Sequence, residues 1–98
     1  MDHINAAEPR RFVLQRQLAL VLRNIEAIVQ LIVMQHEVIA KLDTGGHDTS
    51  EAVRELVKFE RVHELNIATH RNIMKELTAL AEVSRMRQHR TRRVRLMA

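Results

Sequence analysis

The residues whose types and spacing could do chemistry fall in one stretch, residues 59–72, FERVHELNIATHRN. Glu60 and His63 are separated by two residues, the Glu-x-x-His spacing that carboxylate-bridged di-iron bundles use on two of their four helices, with a lone Glu on each of the others. Glu26 would be the lone Glu here, so two copies of the chain would supply the full count, and iron or manganese would suit these ligands better than zinc. A different chemistry is phosphoryl transfer to a histidine, as on the helical hairpins of sensor kinases. That reading requires a histidine exposed to its donor, and the chain carries no nucleotide-binding segment of its own. The third possibility is structural. His63, Asn66 and His70 stand where a helical repeat calls for Leu or Ile, and a polar layer there disfavours misregistered partners by leaving their donors unpaired.

These residues must be positioned by helices. The chain has 98 residues, 46% hydrophobic and 29% charged, with two glycines, one proline, two aromatic residues and no cysteine. That length bounds the chain to one domain, and the scarcity of chain breakers argues against a sheet-rich fold. Disulfides and cysteine-ligated zinc are excluded. Pro9 suits a first helical turn, and Asn5 with Glu8 offers a cap slightly earlier. Gly45 and Gly46 can close a helix in the left-handed conformation, and Asp48, Thr49 and Ser50 can cap the next. A first helix over about 9–43, a turn at 44–48 and a second helix over about 49–84 follow.

Both helices carry a 3–4 repeat. In the first it runs Leu14, Leu18, Val21, Ile25, Ile28, Ile32, Gln35, Ile39, Leu42. In the second it runs Ala52, Leu56, Phe59, His63, Asn66, His70, Ile73, Leu77, Leu80. Beyond that seam the first helix carries many flanking Val, Leu and Ile residues, and its one consistently polar stripe is Arg16, Arg23, Gln30 and Glu37. A helix apolar over so much of its circumference needs cover on more than one side. A short loop makes the two helices antiparallel neighbours, and one seam cannot supply that cover. The expected fold is an all-α antiparallel two-helix hairpin that dimerises into a four-helix bundle. At the level of architecture this resembles the plasmid-copy-control RNA-binding hairpins of the Rop type, with no shared sequence motif. If the turn centres on residue 46, Asn66 lies beside Glu26, His70 beside Leu22 and His63 beside Val29. Glu26, His63, Asn66 and His70 then form a polar layer in the dimer core.

Charge divides the chain. Residues 1–84 hold ten Lys/Arg against twelve Asp/Glu, a net of −2, whereas residues 85–98 hold six arginines and no acid, a net of +6. Arg85, Arg87, Arg90, Arg92, Arg93 and Arg95 form a basic tail, read either as a helical extension or as a solubilising terminus. Arginine rather than lysine favours bidentate phosphate contacts, so nucleic acid is a candidate partner, in competition with an acidic protein or an anionic membrane surface. No aromatic residue accompanies the arginines, which argues against base stacking. No secretory signal pattern is visible, and Arg23, Asn24, Glu26 and Gln30 interrupt the most apolar window, residues 17–34, so a soluble cytoplasmic protein without a transmembrane segment is expected. No nucleophile–base pair, phosphate loop or paired catalytic acid is recognisable. The expectation is a non-enzymatic interaction protein, a small regulator or adaptor, with no cofactor unless the glutamate–histidine cluster takes a metal.

Overall fold

The computed structural model describes the backbone of residues 7–97 and the side chains of residues 8–90. Two helices account for nearly all of it: α1, Ala7–Thr44, and α2, Ser50–Met97. They form an antiparallel hairpin, a rod with extents of 81 × 23 × 14 Å. The helices are therefore two abreast and one deep.

The turn between them is built from its hydrogen bonds. Gly46 has a φ of 73°, a conformation that glycine enters without a Cβ penalty. The Gly46 N–H donates to the Asp43 carbonyl at 3.0 Å and the His47 N–H to the Leu42 carbonyl at 2.8 Å. This is the paired 5→2 and 6→1 closure of a Schellman motif, which satisfies carbonyls that the helix end would otherwise leave open. Helix α2 then starts on Asp48, whose Oδ1 accepts from the Ser50 N–H at 3.0 Å and from the Ser50 hydroxyl at 2.7 Å. Those two bonds hold the Asp48 carboxyl below its ordinary value of 3.8, because they favour the charged form.

The seam is the one expected from the repeat. Leu14, Val21, Ile28, Leu56 and Ile73 are buried. The other repeat positions on both helices are half-buried, including Gln35, His63, Asn66 and His70. One cluster joins Leu14, Val21 and Ile73, with Leu18, Ile25, Leu77 and Leu80 packed around it. Gln35, the polar member of the α1 repeat, donates from its side-chain amide to the Ala52 carbonyl at 2.8 Å.

Side chains reach across between the helices at several points. Arg11 donates to the Ser84 hydroxyl at 3.2 Å across the open end of the hairpin. Arg10 bonds Glu76 and Gln35 bonds Ala52 with the opposite offset along the seam, so these contacts lie on both sides of the pairing expected above. At the turn, α1 keeps its helical bonds to Thr44 and the connection to α2 uses Gly45 through Thr49.

Two stability effects follow. Leu14→Ala removes a side chain that is 1% exposed and should cost about 2–5 kcal/mol in urea unfolding; a change near zero would contradict its place in the seam. Asp48→Ala should lower the melting temperature at pH 7. The folded carboxyl is more acidic than the unfolded one, so the capping stability is present above the unfolded value and is lost as pH falls through the lower folded value. The melting-temperature gap between the two proteins should therefore close on acidification below pH 3.8; a constant gap would contradict the cap.

Candidate functional site: a polar seam centre, two unlike flanks and an arginine-rich end

The middle of the α2 seam is where chemistry-bearing side chains enter the interior. His63, Asn66 and His70 occupy three consecutive seam positions, all half-buried. At this level the α1 seam carries the isoleucines Ile25, Ile28 and Ile32, and Asn66 shares a groove with Asn24 of α1. His63 is the member left without a partner in the hairpin: its Nδ1 is buried and makes no hydrogen bond. A buried polar atom of this kind normally finds a partner, and leaving it without one costs about 1–3 kcal/mol.

Glu26 and Glu60 do not join that layer. Both are exposed. Glu26 follows the seam residue Ile25 by one position, and Glu60 follows Phe59, so the 3–4 repeat turns both away from the His63 ring. Among the described residues no group of three or more His, Asp or Glu side chains is close enough to hold a metal ion. The single hairpin does not assemble the Glu26/Glu60/His63 set.

The two flanks of the seam differ in chemistry. In this antiparallel pair, positions just before certain seam residues meet on one side and positions just after others meet on the opposite side. The first flank is amide-bearing at mid-length, a shallow groove lined from both helices by Gln17, Asn24, Asn66, Thr69, Asn72 and Glu76 over the apolar Leu20, Val21 and Ile73. Nearer the open end the Arg10 guanidinium bonds Glu76 at 2.6 Å, with both side chains half exposed, a situation in which an ion pair contributes little. The second flank is apolar at mid-length. Leu22 and Val29 on α1 are 48% and 42% exposed, and Ile67 and Met74 on α2 are 37% and 42% exposed.

Helix α1 is long and apolar enough, by length and composition, to cross a membrane: an 18-residue window reaches a mean hydropathy of 1.6, with 11% of it buried inside the hairpin. Alongside that window, however, runs the part of α2 that carries Arg61, Glu64, Arg71 and Lys75, all exposed. Placing α1 in lipid as part of this hairpin would place those charges there as well, at a cost of several kcal/mol.

The arginine-rich end is continuous with α2, which remains helical to Met97. α2 has 48 residues against the 38 of α1, so its last turns extend past Ala7, the first described residue of α1. Arg85, Arg87 and Arg90 are exposed. Arg85 pairs with Glu82 at 3.5 Å, and Arg87 is also engaged. The side chains of Arg92, Arg93 and Arg95 lie outside the described residues, as does the Asn5 cap.

No family model, no curated protein and no solved structure matches this chain. The orphaned nitrogen gives the first measurement. His63→Leu should raise stability in urea by about 1–3 kcal/mol and let more than one assembly form, seen as a broadened mass distribution in native mass spectrometry. Destabilisation would contradict the register role assigned to the seam centre.

Proposed function

We propose that this chain is a non-enzymatic interaction protein, a small regulator or adaptor, that works as a homodimeric four-helix bundle and presents its arginine-rich end to an anionic partner. The observation that carries the dimer is an excess of surface. A compact monomer of 11.4 kDa should expose about 5,800 Å². This hairpin exposes 8164 Å², about 2,400 Å² more than that scaling allows. Two copies together carry about 4,800 Å² of such excess, beyond the total of about 1,200–2,000 Å² in ordinary complexes and within the range of about 2,000–5,000 Å² that obligate interfaces bury.

The second copy covers the apolar flank carrying Leu22, Val29, Ile67 and Met74. That flank borders His63 and His70, so a second copy brings polar groups to His63, the member of the layer left without a partner in the hairpin. The opposite flank, with its amides and the Arg10–Glu76 pair, remains in water. The charged outer face of α2 and the stripe of Arg16, Arg23, Gln30 and Glu37 on α1 form the outside of the bundle. A metal site built from Glu26, Glu60 and His63 of two copies is the alternative use of the same interface, and the outward placement of both glutamates disfavours it.

Sedimentation equilibrium tests the interface by face. The parent chain should run at twice 11.4 kDa. Val29→Asp and Ile67→Asp, at exposed positions on the apolar flank, should drop the mass to one chain with helicity retained. Gln17→Asp, on the amide flank, should leave the dimer intact. A parent chain that sediments as a monomer overturns the proposal, and equal effects from the two flanks would move the interface.

A further inference from the structure

Six arginines within eleven residues of one continuous helix have a geometry that a disordered tail would lack. At about 100° per residue, the Cα positions of Arg85, Arg87, Arg90, Arg92, Arg93 and Arg95 are spread around the whole axis, with no gap between neighbouring positions wider than about 80°. The helix has no acid after Glu82. Its apolar residues Met86, Val94, Leu96 and Met97 fall within one arc of about 160°, but Arg90 and Arg93 share that arc, so no face is free of cations. It is a rod positive on every face, and its outer turns project beyond the described start of α1.

That distribution says what kind of anionic surface it fits. A helix lying on a flat surface uses one side, and selection for such a surface places the cations on one arc with apolar residues opposite. A helix enclosed on three sides uses cations around most of its circumference. The major groove of B-form DNA is about 12 Å wide and admits an α-helix, itself about 10–12 Å across with side chains, and phosphates line both rims. The major groove of A-form RNA is too narrow and deep for the same fit. Arginine forks bind phosphate bidentately, and the ion pair that Arg85 makes with Glu82 is exposed and exchanges readily for a phosphate.

We infer that the α2 extension is a duplex-DNA-binding helix that inserts into the major groove and holds the phosphates of both rims, with little dependence on base sequence. This rests on the reading of the arginine-rich end as the contact to an anionic partner, and names that partner. No Asn or Tyr accompanies the arginines after residue 84, and Gln88 is the lone amide available to a base edge.

The test uses the full chain and fluorescence anisotropy with a labelled duplex DNA of mixed sequence, a duplex RNA of the same length, phosphatidylserine vesicles and polyglutamate, over a salt series. Two triple variants divide the rod into opposite faces: Arg85→Gln with Arg92→Gln and Arg93→Gln, and Arg87→Gln with Arg90→Gln and Arg95→Gln. Glutamine is a good helix former, so circular dichroism should be unchanged. The expected result is DNA bound more tightly than RNA. Each triple variant should then flatten the slope of log affinity against log salt by a similar amount, up to about 2.7 per chain for three phosphates lost. One triple carrying nearly all of the slope overturns the groove geometry, as does RNA bound as tightly as DNA. Binding to vesicles or polyglutamate without DNA overturns the inference and leaves the anionic-partner reading standing. Binding to none of the four overturns both.

Discussion

Both helices are held by a single seam, and the consequences of having one seam rather than several run through the whole molecule. A 3–4 repeat on α1 and another on α2 interlock along the length of the hairpin, burying Leu14, Val21, Ile28, Leu56 and Ile73. Among the described residues, two helices abreast and one deep bury no others. Five buried side chains are few for a folded domain, which ordinarily needs a core large enough to offset the conformational entropy of about 1–2 kcal/mol per ordered backbone residue. The short loop reduces that cost by making the helices neighbours, and the Schellman turn with the Asp48 cap fixes where each helix ends. The remaining apolar surface of α1, including Phe12, Leu20, Val33 and Met34 at more than half exposure, is what a dimer has available to bury.

The seam is not uniform, and its irregularity concentrates at the centre. Toward both ends it is aliphatic. At mid-length α2 contributes His63, Asn66 and His70 while α1 contributes isoleucines. Gln35, nearer the turn, shows how such a residue is accommodated locally, by donating to the backbone carbonyl of Ala52. His63 has no equivalent within the hairpin. A polar centre of this kind weakens a lone hairpin. In an assembly it distinguishes the correct alignment from one slipped by a heptad, because only the correct alignment answers the buried donors and acceptors.

Much of this architecture was legible in the residue pattern. Every position of the two repeats is buried or half-buried, because period alone decides which side of a helix faces its neighbour. The closure of the turn was less legible. Which of two adjacent glycines takes the left-handed conformation is settled by hydrogen bonds at the turn rather than by composition. The Glu-x-x-His spacing misleads for a related reason. Residues three apart share a face, but sharing a face does not put both in the seam: with His63 in the seam the preceding turn places half-buried Phe59 there and leaves Glu60 exposed. The arginine-rich end was ambiguous for a different reason. A segment polar all round carries no periodic signal, so its continuation as helix to Met97 could not be read from alternation.

The central claim is that the surface left open by one seam is closed by a second copy lying alongside the first. Small-angle scattering from the full chain reads mass and shape together. A side-by-side bundle predicts forward scattering for two chains, a thickened cross-section, and a maximum dimension well short of twice the 81 Å of one hairpin. Forward scattering for one chain with a radius of gyration near 22.6 Å, or two chains joined end to end at double length, would contradict it.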